Sequence, residues 1–430
     1  MEHTSSGRFT FDDVSNEHAK ICVIGVGGGG GNAINNMVNR GIQGVQFISV
    51  NTDAQALSAN RAPHKVQAGR DLTKGLGAGA RPSIGAEAIE ENRAEIEELI
   101  KGYDMVFITA GMGGGTGTGG GPVVAAIAKR LGILTVAIVT RPFQCEGRKR
   151  TKTATEGIEL LRENVDTLII IPNERLLDIA EDDTTLVEAF SMADAVLYNA
   201  TRGISDLITV HGLINLDFAD VKTTMVDGGT ALMGAATAEG ENRAERAAIE
   251  AISSPLLDGL SIKGATNVLV NITAGLNLGI REATAAISVI QQEAGDDVEV
   301  IFGTVIDEGM SDALRVTVIA TGFDRDRPTQ QPLPRRTVPL TDDALPYGFY
   351  KGEDNLRRLD DPAFERRSQP FRSSARLDDP EPEDQRPEET PEAQAEMRRA
   401  RRINKEELMQ RAEHYRHPDE KPTFLRKFMD

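Results

Sequence analysis

Two glycine-rich segments, each directly after an apolar run, constrain the fold of this chain more than any other feature. The first is 25-GVGGGGGN-32, which follows 20-KICVI-24. The second is 111-GMGGGTGTGGG-121, which follows 105-MVFITA-110 and holds eight glycines. A short apolar run that ends at glycine is typical of a buried β-strand. Because glycine lets the backbone approach a ligand closely, both segments predict binding loops at strand ends.

Apolar runs alternate with helical patterns between residue 20 and about residue 180. Strands are predicted at 20–24, 45–50, 105–110, 133–139 and 167–171. One helix is predicted over 83–102, and another over 122–132, where Pro122 would take the first helical position and Gly132 would follow the end. Strands that alternate with helices imply an α/β fold with a doubly wound, mainly parallel, Rossmann-like sheet.

The second half of the chain predicts a long helix and a smaller α/β domain. Strand-like runs at 267–274, 299–306 and 314–322 accompany helical stretches at 242–253 and 281–293. Thirteen of the 19 prolines lie at or beyond Pro328, so the composition predicts a disordered linker there. We expect an N-terminal arm at 1–19, a nucleotide-binding domain at 20–183, a central helix at 184–212, a second domain at 213–323, a linker at 324–420 and a tail peptide at 421–430.

The charge distribution weighs against nucleic acid as a partner. The net charge is −18, and residues 324–430 carry 24 acids and 22 bases, which leaves −16 for the rest of the chain. A folded part this acidic repels phosphate backbones, although a small anion can still bind through backbone N–H groups. No apolar run reaches the roughly 18 residues of a membrane span, so we expect a cytoplasmic protein. Cys22 and Cys145 are expected to be buried free thiols.

The first glycine segment alone leaves a dinucleotide-binding enzyme open. Gly25, Gly27 and Gly30 match the G-x-G-x-x-G pattern, and Asp53 follows at the distance of the acid that binds a ribose hydroxyl. A nicotinamide-dependent oxidoreductase would also need a catalytic acid or base. The six histidines offer no convincing candidate, and His3, His414 and His417 lie outside the expected core.

The second glycine segment favours a nucleoside triphosphate. It lacks the Gly-Lys-Ser/Thr ending of a Walker A loop. Thr116 and Thr118 add hydroxyl donors to its backbone N–H groups. Two such loops at neighbouring strand ends offer more donors than one diphosphate needs, whereas a triphosphate held from both sides would use them. The simpler alternative is that both segments are only flexible turns.

Several motifs together resemble one family. The run 113-GGGTGTG-119 is similar to the signature of the tubulin/FtsZ superfamily. Five further motifs resemble the bacterial cell-division branch of this superfamily. They are 51-NTDAQAL-57, 75-GLGAGA-80, 172-PNERLL-177, 215-NLDFADV-221 and 271-NITAG-275. The resemblance covers about residues 20–323 and returns in the last ten. It implies a magnesium-dependent GTPase that assembles head to tail into filaments and builds the division ring at mid-cell.

The resemblance also assigns roles to individual residues. Phosphate binding falls to Gly28, Gly29, Gly30, Gly31 and Asn32 in the first segment and to Gly115, Thr116 and Gly117 in the second. Asn51 and Asp53 would lie near the phosphates and Mg²⁺, Ala78 and Gly79 would sense the γ-phosphate, and Glu146 and Arg150 would contact ribose and phosphate. Asn173 and Asp194 would recognise guanine, and Phe190 would stack on it. From residue patterns alone, Arg150 equally suits a solvated basic face and Phe190 equally suits the core.

The catalytic residues and the tail are also assigned by resemblance. Asn215, Asp217 and Asp220 would enter the nucleotide pocket of the next subunit, although such acids could instead cap a helix. A non-hydrolysing nucleotide-gated scaffold would be expected to lack the Asp217/Asp220 pair. The peptide 421–430 would bind membrane-tethering and regulatory division proteins. The basic stretch 398–416 suits either anionic lipid or solvent.

Overall fold

A computed structural model describes residues 19–323, apart from residues 182, 211 and 258. In this part of the chain ten strands form one sheet, in the order β3-β2-β1-β4-β5-β6-β7-β10-β8-β9. The strands are β1 (Ile21–Val26), β2 (Val45–Asn51), β3 (His64–Gln67), β4 (Met105–Gly111), β5 (Leu134–Arg141), β6 (Thr167–Pro172), β7 (Gly229–Glu239), β8 (Asn267–Ala274), β9 (Glu299–Ile306) and β10 (Ala313–Thr321).

The α-helices of this part of the chain form the layers that pack on the sheet. They are α1 (Gly27–Asn39), α2 (Ala54–Ala59), α3 (Arg70–Thr73), α4 (Pro82–Glu91), α5 (Arg93–Ile100), α6 (Thr116–Arg130), α7 (Arg148–Arg162), α8 (Leu186–Thr209), α9 (Phe218–Met225), α10 (Arg243–Ile252) and α11 (Ile280–Ala294). The expected N-terminal arm, apart from residue 19, and the expected linker and tail lie outside the described residues.

The first six strands form the expected parallel sheet. Their order, β3-β2-β1-β4-β5-β6, is that of doubly wound dinucleotide-binding domains, and every neighbouring pair is parallel. The predicted α/β class is therefore confirmed, with each of the five predicted strands displaced by no more than two residues at either end. Strand β3 was not predicted, because its four residues carry two exposed polar side chains and only one fully buried apolar one.

The remaining strands continue the sheet through a short parallel pairing between β6 and β7. Strand β10 lies antiparallel to both β7 and β8, and β8 pairs with β9 in parallel. Strand β7 was missed because its sequence, 229-GTALMGAATAE-239, holds mostly glycine and alanine, with threonine as its only β-branched residue type. The other three strands lie within two residues of their predicted bounds, as do the two predicted helices, α10 and α11, whereas α9 was not predicted.

Three apolar clusters hold these layers together. One lies between the parallel sheet and helices α1 and α8, and a second covers the opposite face beneath α4, α5, α6 and α7. The third packs α10 and α11 against strands β7, β8 and β10. All three consist mostly of aliphatic side chains, as a chain without tryptophan requires.

The predicted helix over 83–102 is wrong as a single helix. It divides at Asn92 into α4 and α5. The Asn92 side chain accepts a hydrogen bond from the Gly69 N–H at 3.0 Å and donates one to Glu95 at 2.8 Å. These bonds tie Asn92 to the residue before α3 and to the first turn of α5, at the point where the helix divides.

The predicted start of the next helix at Pro122 is also wrong. Helix α6 begins at Thr116, inside the glycine segment, and Pro122 lies within it. The glycines before Pro122 explain this start. A Cβ on Gly120 would lie 2.6 Å from Cγ1 of Ile89 in α4, so only glycine lets the two helices approach this closely. Close packing therefore outweighs the low helix propensity of glycine.

The long helix is confirmed at Leu186–Thr209, two to three residues shorter at each end than predicted. Thr185 and Glu188 form a capping box at its start, where the Thr185 hydroxyl accepts from the Glu188 N–H and the Glu188 carboxylate accepts from the Thr185 N–H. Of the two cysteines, Cys22 is buried as expected, whereas Cys145 is exposed and the prediction for it is wrong. Among the described helices, none is long and apolar enough to cross a membrane.

A first prediction separates two glycines of the same segment. A Cβ on Gly30 would collide with the carbonyl oxygen of Thr109 and lie 3.0 Å from Cα of Gly25, whereas a Cβ on Gly28 would have no neighbour within 4 Å. We expect Gly30→Ala to lower the free energy of unfolding by about 1–3 kcal/mol. The control Gly28→Ala should leave it within about 0.5 kcal/mol. Urea denaturation measures both, and equal stabilities for the two variants would contradict the packing argument.

Candidate functional site

The two glycine segments lie side by side at one edge of the sheet. Strands β1 and β4 are neighbours in parallel register, with Val26 opposite Ala110. A Cβ on Gly27 would lie 2.8 Å from the Gly117 nitrogen, and one on Gly29 would lie 3.0 Å from the Gly111 Cα. The segments thus contact each other directly through their backbones, which confirms the prediction that both follow the carboxyl ends of neighbouring strands.

Both segments begin helices, and both helix starts lack side-chain caps. Val26 is the N-cap of α1 and Gly115 is the N-cap of α6, and neither supplies a side-chain hydrogen bond. Neither first turn holds an acidic residue. The first backbone N–H groups of a helix have no partner within it, and the helix dipole makes this end positive. Two such ends at one strand edge favour a polyanionic ligand.

A cavity of about 190 Å³ lies beside these helix starts. Seven of its lining residues were predicted as site residues: Gly29, Asn32, Glu146, Arg150, Asn173, Phe190 and Asp194. Six were missed: Gly111, Met112, Thr140, Pro142, Ala193 and Leu197. Thr140 and Pro142 lie at the carboxyl end of β5, next to β4, so the rule that ligands bind at these strand ends could have indicated them.

The predicted phosphate-binding glycines do not all face the cavity. Gly28, Gly29 and Asn32 are exposed, whereas Gly30 and Gly31 are buried. The Gly31 carbonyl accepts a 2.8 Å hydrogen bond from the Asn60 side chain. The buried pair therefore brings α1 close to the sheet, and the exposed residues leave the backbone open to a ligand.

Three predicted residues of the second segment are buried beneath the cavity. Gly115, Thr116 and Gly117 do not line it, and the Thr116 hydroxyl forms a 2.6 Å hydrogen bond with that of Thr52. This bond joins the start of α6 to the residues after β2. The threonine thus has a structural partner in addition to any ligand.

Asn51 and Asp53 are engaged in local hydrogen bonds. The Asn51 side chain accepts from the Asp53 N–H at 3.2 Å. One oxygen of Asp53 accepts from Gln55 and Ala56 at 2.9 and 3.0 Å and caps α2. The Asp53 carboxylate therefore has a structural role as a helix cap, which does not require a bound ribose. In the described residues no group of three or more His, Cys, Asp or Glu side chains could hold a metal ion.

The loop over residues 74–80 closes against the second glycine segment. Lys74, Gly75, Gly77, Gly79 and Ala80 all have a positive φ, which explains why glycine is so frequent here. Ala78 is buried, and its Cβ would lie 2.8 Å from a Cβ on Gly115. Ala78 and Gly79 are therefore held beside the start of α6, although neither lines the cavity.

Glu146 and Arg150 form an ion pair at the cavity wall. The Arg150 Nε lies 2.9 Å from a Glu146 oxygen, and the other Glu146 oxygen accepts from the Phe143 N–H at 2.9 Å. Arg150 is exposed, as a solvated basic face requires, and it also lines the cavity, so the structure is compatible with both interpretations of this residue.

The far end of the cavity carries an aromatic pair. Phe190 packs edge to face on Phe143, with ring centroids 5.3 Å apart, and 41% of its surface is exposed. The alternative that Phe190 belongs to the core is therefore wrong. Its ring is available to a planar ligand from the cavity side.

Two polar side chains at this end lack partners for their oxygens. Asn173 is buried, and its Oδ1 has no hydrogen bond. Burial raises the pKa of the Asp194 carboxyl from 3.8 to about 6. Buried polar atoms are normally paired, so these oxygens call for donors from a ligand. Guanine supplies such donors through its N1–H and exocyclic amine, whereas adenine lacks this arrangement.

The predicted catalytic residues lie at the opposite edge of the sheet. Helix α8 begins beside the cavity at Phe190, and its last residue, Thr209, packs against Gly44 just before β2. The first residue of β6, Thr167, donates to the carbonyl of Met225 at the end of α9. Asn215, Asp217 and Asp220 are exposed between these two anchor points. A strand of six residues spans about 20 Å, so one chain does not bring these side chains to its own cavity.

The alternative that these acids cap a helix is only partly supported. Asp217 takes the N-cap position of α9, yet its side chain makes no capping hydrogen bond. Asp220 lies in the first turn, where a negative charge suits the helix dipole. The Asn215 side chain accepts from the Gly212 N–H at 2.6 Å. The Asp217 carboxylate is thus not used to cap its own helix.

These features define a nucleotide-binding protein with a doubly wound sheet and a cavity suited to a guanine nucleotide. Residues 20–181 match the GTPase domain of the Tubulin/FtsZ family, and residues 229–324 match the C-terminal domain of the FtsZ family. The chain belongs to the Tubulin/FtsZ family and is a GTPase.

Solved structures agree with this membership. An FtsZ dimer without ligand from M. jannaschii is 45% identical, with a TM-score of 0.70, over 73% of this chain and 90% of that one. A point mutant of FtsZ from M. jannaschii is 46% identical, with a TM-score of 0.69, over 71% and 91%. The GDP-bound CetZ1 monomer from Haloferax volcanii is 23% identical, with a TM-score of 0.61, over 70% and 93%, and shows the shared fold alone.

A second prediction follows from the pKa of Asp194. Guanine donors need the ionised carboxylate, so they lower its pKa in the complex, and binding below about pH 6 must release a proton. The GTP affinity should therefore rise from pH 5 to pH 7 and then level off, with a slope of up to about tenfold per pH unit below the pKa.

The control for this prediction is Asp194→Asn, which cannot titrate but retains the phosphate contacts. The ratio of wild-type to variant affinity, measured by calorimetry across this pH range, cancels the titration of the nucleotide itself. A ratio that stays constant from pH 5 to pH 7 would show that Asp194 does not bind the base.

Proposed function

We propose that this GTPase assembles into head-to-tail filaments, forms the cytokinetic ring at the bacterial division site and hydrolyses GTP between successive subunits. The observation that supports it is the separation of the cavity from Asn215, Asp217 and Asp220. In the proposed division of the chain, residues 20–183 bind GTP, 184–212 form the central helix and 213–323 activate hydrolysis in the neighbouring subunit.

A head-to-tail contact would bring together what a single chain keeps apart. The cavity and the three residues lie at opposite edges of one sheet. A translation of one subunit onto the next would place the exposed Asp217 and Asp220 over the neighbour's cavity. Such a contact is heterologous and, without closure, continues as a filament. The dimeric state named for the M. jannaschii relative supports self-association of this kind.

Exposed apolar side chains mark both edges. We call Leu177, Ile179, Leu186 and Val187, near the start of α8, the upper apolar surface. We call Leu213, Ile214, Leu276 and Ile280 the lower apolar surface. The lower surface immediately precedes Asn215 in sequence and borders a cavity of about 670 Å³ that Ile214 and Ile280 line. Clustered exposed apolar residues are typical of interaction sites, and here one set lies at each end.

The chemistry proposed at the joint is water attack on the γ-phosphate. Phosphoryl transfer depends mainly on positioning and charge stabilisation, so a residue that orients the water can come from another subunit. The helix starts of α1 and α6 would hold the phosphates through backbone N–H groups. Mg²⁺ would be held chiefly by the phosphates, as is usual for this ion, with Asp53 as the nearest proposed carboxylate.

We propose that residues 421–430 direct the protein to the division site in the cell. The peptide 421–430 would bind membrane-tethering and regulatory division proteins, and the 324–420 linker would give it reach. Many copies along a filament would raise the local concentration of this peptide. We propose that the filament lies on the cytoplasmic side of mid-cell.

A third prediction tests hydrolysis between subunits. GTP turnover per molecule should be near zero at low protein concentration and rise steeply once filaments form. Asp217→Ala should still bind GTP and assemble, but its turnover should fall by about 100-fold because the attacking water is no longer positioned. The matched control Glu87→Ala removes an exposed carboxylate in the middle of α4 and should leave turnover unchanged.

Mixing experiments identify which subunit supplies which part. Asp217→Ala retains an intact cavity, and Asp194→Ala removes the proposed contact with the base but retains Asp217. Together they should recover part of the turnover that each lacks alone. Turnover per molecule that does not depend on concentration would place the whole active site within one chain and contradict the proposal.

A fourth prediction concerns the tail. Phe424, Leu425, Phe428 and Met429 would share one face of a helix, as helix-in-groove recognition requires. Removal of residues 421–430 should leave GTP turnover and filament assembly nearly unchanged in purified protein, while recruitment to the division site is lost in cells. Normal recruitment without the peptide, or loss of assembly, would exclude the attachment role.

A further inference from the structure

Arg243 is a buried cation whose guanidinium has a partner on every side. It is 4% exposed and lies in the first turn of α10. Its Nε and Nη2 donate to the two oxygens of Glu282 at 2.8 and 3.0 Å. Its Nη1 donates to the Asp312 carbonyl at 2.9 Å, and its Nη2 also donates to the carbonyl and side-chain oxygens of Asn277 at 3.3 and 3.2 Å.

These bonds converge on the loop between β8 and α11. Asn277 is the middle residue of this loop, which runs over residues 275–279. Glu282 also accepts from the Gly279 N–H at 2.9 Å and so fixes the point where α11 begins. Asp312 in turn accepts from the Asn277 side chain at 3.4 Å. Arg243 therefore sets the conformation of the loop at its centre and, through Glu282, at its end.

The loop held in this way exposes two large apolar side chains. Leu276 is 78% exposed and Ile280 is 85% exposed, which places both among the most exposed large apolar residues of the described chain. In an isolated protein, a rigid backbone beneath exposed apolar side chains does not bury them and so adds no hydrophobic stabilisation. A rigid backbone does strengthen binding, because the loop then loses little entropy when a partner docks. Both side chains belong to the lower apolar surface.

We propose that Arg243 is a positioning residue for self-assembly, which presents Leu276 and Ile280 in a preformed arrangement to a second copy of this chain. The inference rests on the proposed head-to-tail filament and adds the device that orders its lower surface. The occupant is a second copy because Ile280 lines the same cavity as Ile214, one residue before Asn215. Docking at this surface would therefore carry Asp217 towards the next nucleotide. Arg243 itself touches neither nucleotide nor water.

The test uses the full chain with two substitutions at this contact. Arg243→Lys keeps the charge but cannot serve Glu282 and Asn277 together, because an ammonium lacks the planar fork of guanidinium. Asn277→Ala removes one loop acceptor at an exposed position, so it remains informative if Arg243→Lys does not fold. Arg246→Lys, an exposed site on the same helix, is the matched control.

Three quantities are measured for each variant: the thermal midpoint, the GTP affinity below the assembly concentration, and the critical concentration for assembly by sedimentation. We expect Arg243→Lys to raise the critical concentration by about tenfold and Asn277→Ala to raise it less. The GTP affinity should stay within about twofold of wild type. Amide exchange of residues 275–279 should become faster in both variants, and the control should match wild type.

A double-mutant cycle decides whether Arg243 acts through the loop. In the background Leu276→Ser/Ile280→Ser, whose own critical concentration should be raised, Arg243→Lys should add little, because its contribution passes through those side chains. An equal additional increase in that background, or a parallel loss of GTP affinity and thermal stability, would reduce Arg243 to a general structural residue. Failure of the wild-type chain to assemble with GTP would instead contradict the proposed function.

Discussion

The direct backbone contact between the two glycine segments is the constraint on which the nucleotide site depends. Gly27 lies against Gly117 and Gly29 against Gly111, at distances that leave no room for a side chain. The contact aligns the starts of α1 and α6 at one strand edge, where their unpaired N–H groups can serve one polyanion. Glycine is therefore required twice, for the approach of the helices to each other and for the approach of a ligand to the backbone.

Helix α8 connects this edge to the rest of the molecule. Its first half carries Phe190 and Asp194, and its second half is tied to the C-terminal strands by Arg202. That guanidinium bonds Asp206 at 2.8 Å on the same helix and Asp307 at 2.9 Å after β9. One rigid element thus contacts the base end of the cavity and the strands that carry the lower apolar surface.

The sequence could predict what depends on local pattern. Periodicity and glycine positions indicated the parallel sheet, the long helix and the shared strand edge, because those signals lie within single segments. Pro122 was misplaced since the start of α6 depends on packing against Ile89, which lies 33 residues earlier in the sequence. Cys145 was misjudged because its burial depends on tertiary position. The residues at the carboxyl end of β5, Thr140 and Pro142, were missed because they have no motif of their own.

The hydrogen bonding of polar groups differs between Arg243 and the residues proposed to bind the base or the next subunit. Arg243 is buried and fully paired, so its bonds are complete within one molecule. Asn173 keeps a buried oxygen without a donor at the cavity, and burial there raises the pKa of the Asp194 carboxyl, so both groups can accept hydrogen bonds from a ligand. Asp217 takes an N-cap position without capping it, close to exposed apolar side chains. At the cavity, a guanine base would supply the missing donors. At the opposite edge, a second copy of the chain would cover the exposed apolar side chains and use the Asp217 carboxylate.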